Sequence, residues 1–145
     1  MFRKILYPTD FSEISKKVIS ALKKLGKAGT VEEVVVQHII DSRNLDAVVH
    51  WSPAEYERTR KVIEDGAAEK AAQTANALAK AGLAVKVVIS EGIPSQEILK
   101  TAKSAGVSAI IIGSHGKSNL REMLLGSVSE QVIKKSRKPV IVIKR

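Results

Sequence analysis

The chain alternates between two kinds of segment, and this alternation limits the folds open to it. Short runs rich in β-branched and apolar residues, each of which predicts a β-strand, occur at 3–8, 33–40, 83–89, 107–112 and 139–143. Helix-forming segments separate these runs. Strands that alternate with helices favour a parallel sheet joined by right-handed crossover connections. The sequence therefore predicts an α/β fold, with an open five-stranded parallel sheet and helices on both faces.

Sequence signals mark where two of the helices begin or end. Apolar residues recur at helical spacing over 14–25, and Gly26 and Gly29 are expected to end that helix. Ser52, with a proline directly after it, predicts the start of a long helix that reaches about residue 81. Between the second strand and this helix the sequence shows no clear periodicity, so no element is predicted there.

A glycine-bearing loop follows the fourth strand. Gly113 and Gly116 are separated by two residues, and Gly126 and Ser127 come nine residues later. Ser127 predicts a helix cap, because Glu130 lies three residues beyond it. Free N–H groups and the positive end of a helix dipole form an anion site. Glycines in such a loop let the backbone approach a phosphate without a Cβ in the way.

Three better-known glycine motifs do not fit this loop. Ile111 stands where a Walker A loop needs its first glycine, and Ile112 stands where the nucleophile elbow needs one. Only two glycines fall in the short window of the G-x-G-x-x-G motif. The alternative is therefore a surface loop in which the glycines serve only as turns.

Composition narrows the possible classes of protein. The 145 residues fit one domain, 1–145, and the absence of cysteine excludes disulfides and thiol catalysis. No apolar run approaches a membrane span and no signal peptide is apparent, so a soluble cytoplasmic protein is expected. The net charge of +9 leaves nucleic-acid binding open, but aromatic residues make up only 3% and the cations are scattered. Nucleic acid is therefore the less favoured partner.

Four segments of the chain resemble the universal stress protein family. They are the first strand and its loop (4–12), the end of the second strand (36–39), the glycine loop (113–127) and the last strand (138–142). The spacing G-x2-G-x9-G-S in the loop is similar to the ATP-binding signature of that family. The resemblance implies strand order 3-2-1-4-5, a Rossmann-like fold of the adenine nucleotide alpha hydrolase type, and ATP in the crevice between strands one and four.

The resemblance also implies roles for individual residues. Asp10 is expected to hydrogen-bond the nucleoside, and the Ile39 backbone to meet the adenine edge. The helix start at 126–129 is expected to offer N–H and hydroxyl groups to the phosphates, which would hold Mg²⁺ or Mn²⁺. The full set of expected nucleotide-binding residues is Pro8, Thr9, Asp10, Ile39, Gly113, Ser114, His115, Gly116, Lys117, Ser118, Asn119, Gly126, Ser127, Val128 and Ser129.

Structural roles compete with several of these assignments. Asp10 could only cap the first helix, and Ser127 could only cap the last. His38 lies in an apolar strand and is expected to be a hydrogen-bonded core histidine, whereas His115 could contact a phosphate or face water. The three histidines are scattered along the sequence and predict no metal site.

The resemblance implies a nucleotide-dependent switch or binding module that acts in the stress response through an unidentified protein partner. The alternative is a slow ATP hydrolase or phosphotransferase that needs a partner. No catalytic residue is assigned, because no side chain in the loop is an evident water positioner, although Asn119 and Glu122 are near in sequence. A homodimer formed through strand 139–143 is also expected, because an apolar edge strand invites pairing with another strand. A monomer with a covered edge is the alternative.

Overall fold

Five parallel strands form the centre of the protein. The computed structural model describes residues 2–46, 52–116 and 125–145. The strands are β1 (Lys4–Pro8), β2 (Glu33–Asp41), β3 (Ala84–Gly92), β4 (Ala109–Gly113) and β5 (Val140–Ile143). They lie in the order β3-β2-β1-β4-β5, so the strand order implied by the resemblance is confirmed. The helices are α1 (Ser15–Lys27), α2 (Ser42–Asp46), α3 (Pro53–Ala79), α4 (Pro94–Ser104) and α5 (Ser127–Lys135).

Helices cover both faces of the sheet, which confirms the predicted architecture. Successive side chains of a strand point to opposite faces, so the two central strands contribute to two separate cores. On one face, Ile5 of β1 and Ile111 of β4 pack in a cluster with Leu22 of α1. On the other face, Leu6 of β1 packs in a cluster with Ile98 of α4. Because both faces are buried, the central strands are continuous apolar runs in the sequence rather than alternating ones.

The first helix ends between Gly26 and Gly29, the two glycines that were expected to end it. The helix continues to Lys27, and the chain turns at Gly29, whose φ is +73°. A Cβ on Gly26 would lie 2.9 Å from the side chain of Leu83, which leads into β3. Glycine is therefore needed at 26 for close packing inside the helix and at 29 for the turn.

The third helix begins as predicted, whereas two neighbouring elements differ from the prediction. Ser52 accepts a hydrogen bond from the N–H of Glu55, whose carboxylate binds the N–H of Ser52 in return. The helix runs through Gly66 without interruption. The short helix α2, which precedes it, was not predicted. The strand β3 also continues three residues beyond its predicted end, to Gly92, in register with β2.

The order of the strands determines where a ligand can bind. The strand β1 pairs with β2 on one side and with β4 on the other, so the direction of the connections changes between β1 and β4. The loops that follow these two strands therefore meet at the carboxyl edge of the sheet. Within the three described ranges, no helix has both the length and the apolar character needed to cross a bilayer.

Candidate functional site

A cavity of about 590 Å³ opens at the carboxyl ends of β1, β2 and β4. Its lining contains most of the residues that the sequence predicted: Pro8, Thr9, Asp10, Ile39, Gly113, His115, Gly116, Gly126, Ser127, Val128 and Ser129. Ser114 is buried and does not line the cavity. The predicted residues Lys117, Ser118 and Asn119 lie outside the described part of the chain.

The loop after β1 is held by its own side chains. The Asp10 Oδ1 atom accepts a hydrogen bond from the Ser12 N–H at 3.0 Å, and Thr9 Oγ1 accepts one from the Phe11 N–H at 3.0 Å. Phe11 adopts a φ of +60°, which these two turns support. The N-cap of α1 is Ile14, with no side-chain cap. Asp10 therefore closes the turn before the helix, and the alternative that it caps α1 is wrong.

Two glycines allow the loops after β1 and β4 to touch. A Cβ on Gly113 would lie 2.6 Å from Ile14 Cγ2, and one on Gly116 would lie 2.5 Å from Asp10 Oδ2. Real Cβ atoms do not approach other atoms this closely. Gly126 is less constrained, because its nearest neighbour would be the Ser114 carbonyl oxygen at 3.4 Å. The spacing of the first two glycines thus has a steric cause inside the protein, rather than only in approach to a ligand.

The helix α5 begins directly at the cavity, but not as the sequence predicted. Its N-cap is Gly126 rather than Ser127, and no side chain caps it. Glu130 donates its N–H to the Gly126 carbonyl at 2.9 Å, which is the first bond of the helix. The N–H groups of Ser127, Val128 and Ser129 therefore have no acceptor within the helix. They lie where the helix dipole is positive and where the cavity wall is formed.

Two serine hydroxyls hold the glycine loop together. Ser129 is buried and donates its hydroxyl proton to the Gly113 carbonyl at 2.7 Å. Ser114 Oγ accepts a hydrogen bond from the Arg145 N–H at 3.2 Å and lies 2.8 Å from His115 Nδ1. The expectation that the Ser129 hydroxyl faces a phosphate is therefore corrected: its proton is already donated within the protein. Only its backbone N–H is left to face the cavity.

The far end of the cavity is formed by β2 and by two helices that the sequence did not assign to the site. His38 Nδ1 lies 2.8 Å from the Thr9 carbonyl oxygen, and the ring stacks on Phe11 with 4.7 Å between centroids. A carbonyl only accepts, so Nδ1 carries the proton. The predicted hydrogen-bonded histidine is confirmed, although it is half-buried and lines the cavity.

The helices α2 and α3 complete this end of the cavity with residues that sequence reasoning missed, namely Arg43, Asn44, Leu45, Thr59 and Ile63. Arg43 binds Asp41 through two hydrogen bonds of 2.9 and 2.7 Å, and these bonds lower the pKa of the Asp41 carboxyl. The capping signal at Ser52 located the start of α3, but nothing in the sequence indicated which strand end it would cover.

Two hydroxyls at the cavity have no hydrogen-bond partner within the described residues. They are the Tyr7 hydroxyl and Ser12 Oγ, and both residues line the cavity. Burial raises the pKa of Tyr7, and the nearby hydroxyls of Ser15 and Thr9 oppose this effect without forming aligned hydrogen bonds to it. Buried polar atoms normally find a partner. The two atoms are thus exceptions among the buried polar atoms of the described residues.

No three side chains among histidine, cysteine, aspartate and glutamate come together as a metal site within the residues that the structure describes.

Comparison with known proteins identifies the family. The family model described as "Universal stress protein family" matches residues 1–144. The chain belongs to the universal stress protein family. It is 43% identical to the universal stress protein MJ0577 of Methanocaldococcus jannaschii, over 100% of this chain and 96% of that protein. The solved structure of MJ0577 superposes with a TM-score of 0.90 at 44% identity, over 100% of this chain and 97% of that one.

Two more distant members of the family share the fold and were solved with nucleotides. A universal stress protein from Archaeoglobus fulgidus in complex with dAMP has a TM-score of 0.67 at 24% identity, over 99% of this chain and 98% of that one. Another universal stress protein, in complex with cAMP, has a TM-score of 0.67 at 16% identity, over 99% of this chain and 97% of that one. At these identities the likeness establishes the fold alone.

Alanine substitution at two glycines tests the contact between the two loops, because the two variants should change the free energy of unfolding in opposite directions. We expect Gly113→Ala to lower the free energy of unfolding by about 1–3 kcal/mol, because the new methyl group would overlap Ile14. Gly66→Ala is the matched control, because it adds the same atom inside α3 with no atom within 4 Å. It should raise the free energy of unfolding by about 0.5–1 kcal/mol. Urea unfolding measures both, and a Gly113→Ala protein as stable as wild type would contradict the steric account.

Proposed function

We propose that this universal stress protein binds ATP in the cavity at the carboxyl edge of its sheet. The observation that carries the proposal is that one cavity joins the uncapped N-terminus of α5 to the Asp10 turn after β1. The dAMP and cAMP complexes of distant family members support an adenine nucleotide as the ligand class. The similarity to MJ0577 shows that both proteins belong to one family.

The phosphates would bind at the N-terminus of α5. Three consecutive N–H groups, those of Ser127, Val128 and Ser129, have no acceptor within the helix and lie at the cavity. A helix N-terminus carries roughly half a positive charge, so an anion there is favoured. Ser127 is exposed, which leaves this end of the helix accessible. The phosphates would in turn hold Mg²⁺ or Mn²⁺, since hard cations bind phosphate oxygens with few protein ligands.

The nucleoside would lie between the ends of β1 and β2. Asp10 offers carboxylate oxygens to ribose hydroxyls, and the Ile39 backbone lies where the adenine edge would pass. Ile98 and Ile112 give this part of the cavity an apolar wall that suits the face of a base.

The biological output would be that of a nucleotide-dependent switch or binding module in the stress response. In that role, whether a nucleotide is bound would affect how the protein interacts with a protein partner. The cytoplasmic location expected from the sequence stays a prediction.

Substitutions at Ser127 test whether the phosphates bind at the N-terminus of α5. We expect Ser127→Glu to weaken ATP binding at least about tenfold relative to Ser127→Gln, because the carboxylate repels the phosphates. The fold should not suffer, since an acidic residue in the first turn of a helix is favourable by about 0.3–1 kcal/mol. Calorimetric titration with ATP and Mg²⁺ measures the effect, and adenosine, which lacks phosphates, serves as the control ligand. Equal ATP affinity in the two variants would place the phosphates elsewhere.

We also expect very slow ATP hydrolysis by the isolated protein. Among the described residues that line the cavity, Asp10 and Asp41 are the carboxylates; Asp10 accepts the Ser12 N–H and Asp41 is paired with Arg43. Neither is an evident group to orient a water at a γ-phosphate beside α5. Turnover measured by phosphate release should be well below about 1 s⁻¹, the lower end of kinase rates. Faster turnover that Ser127→Glu abolishes would show a catalytic residue that was missed, whereas turnover that survives in this variant would point to a contaminant.

We further propose a homodimer formed through the edge strand β5. The carbonyl oxygens of Pro139 and Ile143 accept hydrogen bonds from the N–H groups of Ile110 and Ser114, at 2.9 and 2.8 Å. Because successive residues of a strand turn their backbone groups to opposite edges, those of Val140 and Val142 lie at the free edge. A second copy related by a two-fold axis would pair with these groups in antiparallel fashion.

Proline substitution tests the dimer without touching the bonds to β4. We expect Val142→Pro to remove an N–H at the free edge and to convert the dimer to a monomer in light scattering at high micromolar concentration. Val142→Ala shortens the side chain but keeps the N–H, so it should remain dimeric. Val87→Pro makes the same change at the free edge of β3, where the side chain is 42% exposed, and should also remain dimeric. A monomeric wild type, or a dimeric Val142→Pro, would refute this interface.

A further inference from the structure

We propose that the edge of the sheet opposite the cavity is a docking surface for an acidic segment of a partner protein, that is, for a stretch of chain that presents clustered carboxylates. The proposal does not depend on whether the cavity binds a nucleotide, because it concerns other residues at the other end of the strands.

The topology brings the C-termini of four helices to this edge. Each of α1, α3, α4 and α5 follows the carboxyl end of one parallel strand and leads to the start of the next, so the helices run antiparallel to the strands. Hydrogen bonds also join the strand starts: the Glu32 N–H donates to the Arg3 carbonyl at 2.9 Å, and the Ser108 N–H donates to the Lys4 carbonyl at 2.7 Å. We call this end of the molecule the amino edge, and it comprises residues 2–4, 23–33, 77–86, 101–109 and 134–140.

The whole excess of positive charge lies at the amino edge. Its segments contain 12 of the 24 lysines and arginines of the chain but only two of the 15 acidic residues, Glu32 and Glu33. The rest of the chain has 12 cationic and 13 acidic residues and is therefore close to neutral. The cations of the amino edge are Arg3, Lys4, Lys23, Lys24, Lys27, Lys80, Lys86, Lys103, Lys134, Lys135, Arg137 and Lys138.

Most of these cations have no carboxylate partner among the described residues. The two glutamates pair with three of the cations, at N–O distances of 3.3 to 3.9 Å. Lys134 pairs with Glu130 on the preceding turn of α5, at 2.9 Å. The other eight form no ion pair in the described part of the chain, and all of them except Lys23 are exposed. The helix dipole accounts for a cation in the last turn of a helix, but Arg137 and Lys138 lie beyond the end of α5.

The charge and the residue types indicate which occupant fits. A second copy of the chain does not, because two edges of the same sign repel each other. Ten of the 12 cations are lysines, which attract an anion as a point charge and lack the planar fork with which arginine binds a phosphate. The aromatic residue at the amino edge is Phe2, which packs against the core, so no ring is available for stacking on bases. Carboxylates on a protein segment therefore fit this surface better than a nucleic acid does.

The size of the amino edge determines the kind of complex. Five strands at the usual spacing span roughly 20 Å along the edge. A surface of this extent, held together by exposed charges, suits a transient complex that forms quickly by electrostatic steering. Such a complex should be sensitive to salt, because ionic screening shortens the reach of exposed charges.

Two quadruple variants of equal net charge test the proposal, and the probe is a fluorescein-labelled peptide of glutamates, followed by fluorescence anisotropy without nucleotide. Each variant replaces three lysines and one arginine, all exposed and without an ion pair among the described residues, so both lower the net charge by four. The amino-edge variant is Lys24→Gln, Lys103→Gln, Lys135→Gln and Arg137→Gln. The matched control, with substitutions near the start of α1 and in the first half of α3, is Lys16→Gln, Lys17→Gln, Arg58→Gln and Lys61→Gln.

We expect the amino-edge variant to bind the glutamate peptide at least about tenfold more weakly than wild type, and the control variant to differ from wild type by less than about threefold. Wild-type binding should also weaken strongly when the ionic strength rises from about 0.01 to about 0.15 M. Urea unfolding of both variants verifies that they are folded. Equal losses in the two variants would show that only net charge matters and would overturn the proposal, as would a wild-type protein that does not bind the peptide.

The same assay distinguishes the other occupants. Tighter wild-type binding to a DNA duplex of random sequence than to the glutamate peptide, with a loss in the amino-edge variant, would assign the edge to nucleic acid and overturn the proposal. Tighter binding to vesicles that contain phosphatidylserine would do the same in favour of a membrane surface. A failure of ATP to bind would refute the proposed function and leave this result unchanged, because the peptide is measured without nucleotide.

Discussion

The close contact between the loops after β1 and β4 is the constraint on which the rest of the site depends. It exists because Gly113 leaves room for Ile14 and Gly116 leaves room for the Asp10 carboxylate. With larger residues at these positions, the side chains of Ile14 and Asp10, or the loops that carry them, would have to shift. The glycine spacing that first suggests a nucleotide site is therefore also a packing requirement, and the two explanations support each other.

The strand order places this contact at the edge of the sheet where a ligand can bind. In a parallel sheet all carboxyl ends lie at one edge, but a crevice forms only where neighbouring strands are joined in opposite directions. The pairing of β1 with β4 provides that point. Burial on both faces makes the central strands rigid, so the loops that follow them begin from fixed positions. The functional groups then come from turns and helix ends rather than from the core.

The sequence predicted the elements well because the periodic patterns and the capping signal at Ser52 are local. It failed where a residue serves a distant contact. Gly26, near the end of α1, also makes room for Leu83, which the sequence did not indicate, and Ser127 looked like a cap, although Gly126 takes that position. The hydroxyl of Ser129 likewise serves the Gly113 carbonyl. Each of these roles depends on a partner that only the folded chain brings near, and the strand order itself came from the family resemblance rather than from periodicity.

At the proposed nucleotide site, the described cavity wall does not share the excess positive charge of the chain, which is +9. Among the described residues that line the cavity, the formal charges are two carboxylates, Asp10 and Asp41, and one guanidinium, Arg43, which is already paired with Asp41. Within the described cavity wall, the groups suited to an anion are therefore the backbone N–H groups at the start of α5. Backbone donors are fixed in direction and act over short distances, so they favour a ligand of the right shape over polyanions in general. The excess lysines would then serve solubility or long-range steering.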